Sequence, residues 1–140
     1  MTIVKLFFLF VAIKDWECLQ FNFEAAFLNG QMSTGLVCVR QPPRFGDGTK
    51  RVCKLLKTLY GLRDSPLIWF REATVLMKKA GFEPLTSQAC VFVGRKNNIW
   101  VMLYVDDMAI AAATKEEIKA SQKYWTRHLC SHRWAKSTAS

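Results

Sequence analysis

Apolar residues run unbroken from Leu6 to Ile13 and stop at Lys14-Asp15. This block predicts a buried helix over roughly 3–14 that leads into a strand. It is far shorter than the ~20 apolar residues of a bilayer-spanning helix, and no small-residue cleavage site follows it. "ECLQFNFEAAF" then alternates in part and reads as a buried strand from about 17 to 24. "LNGQMSTG" has turn composition, "LVCVRQ" is a short strand stopped by Pro42-Pro43, and "RFGDGTK" is a polar, glycine-rich loop. "RVCKLLKTLYGL" leads into a helix with Ser65 as N-cap and Pro66 at the first helical position. Trp69, Ala73, Leu76, Met77 and Ala80 mark one face of that helix, and Gly81 ends it. Two apolar strands follow, "ACVFVG" and "IWVMLYV", joined by the polar turn "RKNN". A third, "MAIAAA", comes next, and Thr114 with Glu117 makes a capping box for a last helix from about 115 to 129. The order predicts an α+β fold, an antiparallel sheet covered by helices on one face. No repeat, low-complexity tract or domain linker interrupts it.

One feature breaks the apolar pattern of the second half. Asp106 and Asp107 sit side by side inside "VMLYVDDMAI". Unpaired carboxylates cost several kcal/mol each when buried. The economical geometry puts both at the tip of a hairpin between "IWVMLYV" and "MAIAAA", because aspartate tolerates the positive φ of tight turns. There both carboxylates leave the core and converge as hard oxygen donors, the kind Mg²⁺ takes. A solvated acidic turn with no metal fits the same residues.

Charge adds a partner class. Among 140 residues, 20 Lys and Arg face 11 acids, a formal net charge of +9. That surplus favours a polyanion, with nucleic acid first, although a basic solvated surface gives the same count. The five cysteines form no CxxC pair, and His128, Cys130 and His132 fall short of a four-ligand zinc set. An odd cysteine count without framework spacing fits a reducing, intracellular compartment.

"YVDD", Tyr104 to Asp107, between apolar strands resembles the motif C hairpin of reverse transcriptases. Four further segments, in order, resemble the copia-type branch from long-terminal-repeat retrotransposons: "FNFEAAFLNG" (motif A), "VCVRQPPRF", "VCKLLKTLYGLRDSPLIWF" (motif B) and "GFEPLTSQACVFV". The likeness covers residues 1–125, read as a partial palm domain, with 126–140 a divergent tail. It implies RNA-directed DNA polymerase chemistry: a primer 3′-hydroxyl attacks the α-phosphate of a deoxynucleoside triphosphate, helped by two Mg²⁺ (or Mn²⁺) ions. The implied partners are an RNA or DNA template-primer and the nucleotide, with no membrane. Fingers, thumb and ribonuclease H regions are expected to be missing.

Carried over residue by residue, Asp106 and Asp107 are the motif C metal ligands. The motif A aspartate stands eight residues before the glycine of "FLNG", which here is Asn22. An amide keeps one oxygen donor but loses the charge, so the resemblance implies an impaired catalytic site. Glu24, two residues along the strand, is one escape. Phe27 falls where the family sets a ring against the sugar, excluding a ribose 2′-hydroxyl. Tyr60 and Gly61 belong to motif B, where Gly61 lets backbone approach substrate, and Ser65 starts the supporting helix. Tyr104 opens motif C. Asp64, Leu67 and Gln88 depart from the family pattern, and the first two weaken contact with a polyanion. Two other readings stay open: a polymerase piece completed by other chains, and a non-catalytic nucleic-acid-binding module using the positive charge and aromatics such as Trp134.

Overall fold

A computed structural model describes residues 2–23, 26–32, 35, 37–85, 90–94, 98–128 and 134–135. The fold is α+β. Helix α1 (Thr2–Ile13) leads into strand β1 (Glu17–Phe23) and a 3-10 turn (Ala26–Asn29). A ribbon of β2 (Cys38–Arg40) and β3 (Val52–Lys54) comes before helix α2 (Ser65–Lys79). Strands β4 (Phe82–Pro84), β5 (Val91–Gly94), β6 (Trp100–Tyr104) and β7 (Asp107–Ala112) follow, then α3 (Lys115–His128) and β8 (Trp134–Ala135). The main sheet runs β4-β5-β6-β7-β1-β8, all neighbours antiparallel, and β2-β3 stands apart from it.

Strand β7 lies between β6 and β1 and is buried on both faces from Met108 to Ala112. Successive side chains of a strand point to opposite faces. Met108, Ile110 and Ala112 join Phe21, Phe23, Phe92 and Leu103 beneath Trp69 and Met77 of α2 and Ile118 of α3. Ala109 and Ala111 join Val91 and Met102 on the other face, beneath Phe7 and Val11 of α1. The expected one-sided cover is therefore corrected: helices cover both faces. The cause is legible in "MAIAAA", which is apolar at every position and must be dry on both sides.

The first helix forms close to its expected bounds but is not buried all round. Only Phe7 and Val11 are buried, while Leu6, Phe8, Leu9 and Ile13 face outward, Ile13 at 73% exposure. A helix lying on a sheet touches it through one stripe, so a helix apolar on every face leaves most of itself in water. Its C-terminal end is fixed by rings: Phe10 stacks on Trp100 at 4.1 Å, and Trp16 meets Phe10 edge-on at 5.6 Å. Among the described residues, no helix is long and apolar enough to cross a membrane.

Helix α2 keeps its expected face, with Trp69, Ala73 and Met77 buried, and Gly81 (φ +84°) ends it. Ser65 is not its N-cap. Asp64 holds that position without a side-chain capping bond, and Ser65 is the first helical residue. The Ser65 hydroxyl is already committed, donating to the Leu59 carbonyl at 2.7 Å. The capping box of α3 forms as read, with the Thr114 N–H donating to Glu117 at 3.1 Å and the Glu117 N–H to Thr114 at 3.3 Å. Strands β3 and β4 have no counterpart in the sequence reading. Residues 95–97 of the "RKNN" turn, with Cys130 and His132, lie outside the described residues, as does the Trp134 side chain.

Trp69 is buried at the centre of the α2 face, and its indole N–H donates to the Val105 carbonyl at 2.8 Å. Trp69→Phe removes that donor and leaves a small void. Urea denaturation should show a loss of about 1–3 kcal/mol; an unchanged midpoint would mean the indole bond holds nothing.

Candidate active site

Strands β6 and β7 form a tight hairpin. Tyr104 pairs with Asp107, so the loop is only Val105-Asp106. This corrects the expectation that both aspartates make the tip. Asp106 is in the loop and half-buried, whereas Asp107 is the first residue of β7 and exposed. The positive φ also falls elsewhere, on Val105 at 57°. A β-branched side chain is costly in that region, by about 1–3 kcal/mol. Two bonds hold the loop there. The Trp69 indole donates to the Val105 carbonyl at 2.8 Å, and the Phe23 N–H donates to the Asp106 carbonyl at 2.8 Å. The helix face and strand that bury the core thus also fix the aspartates.

Asn22 sits directly opposite Asp107 in the β1–β7 register. Alternation puts Asn22 and Gln20 of β1, Tyr104 of β6 and Asp107 of β7 on the face that carries α1. The Gln20 amide donates to Asp107 Oδ1 at 3.3 Å. Gln20 was not expected here; its two-residue spacing from Asn22 was the available signal. An apolar groove of about 450 Å³ adjoins this edge, lined in part by Val4, Phe8, Gln20, Tyr104 and Asp107.

Phe27 and Tyr60 touch edge to face, ring centroids 4.9 Å apart. The Tyr60 phenol is pushed up by loss of solvent and then by the charge of Asp106, so it stays neutral. The 3-10 turn below is tightly seated. The buried Thr58 donates its hydroxyl to the Phe27 carbonyl and its N–H to the Gly30 carbonyl at 2.9 Å. A Cβ at Gly30 would lie 2.8 Å from Thr58 Oγ1 and 2.9 Å from Ile68 Cγ2, so only glycine fits. Gly61 has φ +91° with open space around it, a backbone need rather than a packing one. Asp64 and Leu67 are both exposed. Glu24 and Gln88 lie outside the described residues.

Asn22, Asp106 and Asp107 thus lie together at one end of the sheet with Tyr104 beside Asp107, Tyr60 feels the Asp106 charge and packs on Phe27, and Gly61 and Ser65 come just before and at the start of α2. The donor set is two carboxylates and one amide. Among the described residues, no group of three or more His, Cys, Asp and Glu is placed to hold a metal. The two carboxylates suit a hard divalent cation in donor type.

The family described as reverse transcriptase (RNA-dependent DNA polymerase) matches residues 1–135. The Pol polyprotein from transposon TNT 1-94 of Nicotiana tabacum is 34% identical over 120 residues, covering 82% of this chain and 9% of that protein. The Pol polyprotein from transposon RE1 of Arabidopsis thaliana is 36% identical over 101 residues, 69% of this chain and 7% of that protein. The truncated transposon Ty1-A Gag-Pol polyprotein of Saccharomyces cerevisiae is 30% identical over 114 residues, 81% of this chain and 9% of that protein. The chain spans less than a tenth of each of these relatives. No solved structure matches it.

Val105→Asn replaces a β-branched residue at positive φ with one that enters this region readily. Thermal or urea unfolding should gain about 1 kcal/mol. No gain would mean that the loop holds Val105 without strain.

Proposed function

The chain belongs to the reverse transcriptase family, and we propose that it is the palm portion of a copia-type retrotransposon polymerase whose metal-binding edge is impaired at Asn22. The observation that carries this reading is the register of β1 against β7. It sets an amide directly across from Asp107, at the position where the family's pattern calls for an aspartate.

Asp106 and Asp107 would hold the divalent ion, Mg²⁺ or Mn²⁺. When bound, such an ion lowers the barrier by neutralising charge on the attacking and leaving oxygens. The chain's own residues do the rest. Phe27 and Tyr60 form the wall against which a nucleotide sugar packs. Gly61 lets the backbone come close to the incoming base, and Ser65 ties α2 to Leu59 so that this backbone keeps its place. Asn22 offers one oxygen and no charge, and its NH₂ repels a cation. With that donor set the edge would hold a divalent ion only weakly, which leaves transfer slow or absent.

Mn²⁺ titration followed by water-proton relaxation tests the assignment. Asn22→Asp should tighten binding by at least about tenfold, since affinity for hard cations follows ligand charge. Asp106→Asn in that background should cancel the gain. Equal binding by the parent chain and Asn22→Asp would mean that residue 22 is not the missing ligand.

A further inference from the structure

The β2–β3 ribbon concentrates the positive charge. From Arg40 to Arg63 the chain carries seven basic residues and one acid, Asp47. Asp47 is spent inside the loop. It accepts from the Thr49 N–H at 3.0 Å and pairs with Arg51. Hydrogen bonds from Thr49 above all, with Gln41 and Arg51, hold its carboxyl down at about 2, so it stays ionised and neutralises Arg51 alone. Arg40, Arg44, Lys50 and Lys54 are exposed and make no ion pair among the described residues.

The four are arranged, not scattered, and Lys50 lines one groove with Arg40. Arg40 pairs with Val52 and Cys38 with Lys54, so Arg40 and Lys54 share one face of the ribbon as diagonal neighbours. Arg44 lies in the Pro42–Phe45 turn, closed by the Phe45 N–H donating to the Pro42 carbonyl at 2.8 Å. Beside it Phe45 is 81% exposed, the most exposed large apolar residue among those described. A ring held in water among cations offers a stacking platform for an unpaired base. The ribbon's root leads to the candidate site. Leu55 donates to the Val37 carbonyl at 2.9 Å and Met32 to Leu56 at 3.1 Å, which brings the strands to Gly30 and Thr58, beneath Phe27 and Tyr60.

We propose that the β2–β3 ribbon grips single-stranded nucleic acid, with Arg40, Arg44, Lys50 and Lys54 on the phosphates and Phe45 stacked on a base. This rests on the polymerase reading for its partner, and it adds a surface outside the aspartate edge. A single strand is favoured over a duplex because only unpaired bases can reach Phe45.

Fluorescence anisotropy with the whole chain and an end-labelled RNA of about 20 nucleotides, without Mg²⁺ or nucleotide, tests it. Arg40→Gln, Arg44→Gln, Lys50→Gln and Lys54→Gln combined should weaken binding about 100-fold at low salt. They should also flatten the log–log salt slope by about 3, at roughly 0.7 per phosphate contact on a single strand. Arg71→Gln, Lys78→Gln, Lys119→Gln and Lys123→Gln remove the same charge from α2 and α3 and should cost less than about threefold. Phe45→Ala should cost about tenfold with the slope unchanged. On the unaltered chain, RNA should protect Lys50 and Lys54 from acetylation, but not Lys119 and Lys123. Equal losses in the two charge variants, an intact Phe45→Ala, or no protection would each overturn the ribbon. A failed Mn²⁺ titration beside a positive ribbon result would remove the metal reading alone, and the reverse result the ribbon alone.

Discussion

The two-residue loop at Val105-Asp106 is the constraint on which the site depends. A loop this short fixes the offset between β6 and β7, and that offset fixes which residue of β7 faces Asn22. A slip of one residue would turn every β7 side chain to the opposite face. The slip is blocked twice: by Trp69 holding the Val105 carbonyl, and by Phe23 holding the Asp106 carbonyl. Both donors belong to residues whose side chains lie in the core. The hydrophobic packing of α2 and β1 is therefore the same event as the positioning of the aspartates.

Much of this was legible in the sequence. The unbroken apolar run, the Thr114–Glu117 box, the Trp69–Ala73–Met77 face and the strand–Asp–Asp–strand pattern each gave an element of the right type in the right place. The failures share a cause: they depend on what lies across from a residue, which periodicity does not report. Ser65 looked like a cap, but a carbonyl six residues back takes its hydroxyl. Both aspartates looked like turn residues, but strand pairing claims Asp107 and leaves the strained position to valine. Trp69 read as a core residue, and nothing local to "SPLIWF" announces its bond to a loop 36 residues away. Strand β3 was hidden inside "RVCKLLK", whose alternation spans only three paired residues.

The two faces of the sheet carry different burdens. Beneath α2 and α3 the layer is built of large side chains, including Phe21, Phe92, Leu103 and Ile110, all buried. Beneath α1 the sheet offers smaller side chains, Ala109 and Ala111 among them, and only Phe7 and Val11 of the helix are buried against it. The aspartate edge opens on this more lightly packed side. Asp107, Tyr104, Gln20 and Asn22 are all exposed there. An edge with the proposed role has to be open to substrate, and the heavy packing on the opposite face holds the strands without covering the carboxylates.

Asn22 then has an energetic meaning apart from catalysis. Like charges directly opposite on neighbouring antiparallel strands destabilise the pair, and Asp107 faces residue 22 across the ladder. An aspartate there adds its charge to those of Asp106 and Asp107 at one end of the sheet, a repulsion that a bound cation offsets and water only screens. An asparagine removes the repulsion and can also hydrogen-bond. In a chain that holds its metal firmly, the repulsion is part of what makes the site bind. In a chain that does not, the amide is the more stable residue at that position. The substitution that weakens the proposed chemistry therefore also relieves strain in the metal-free fold.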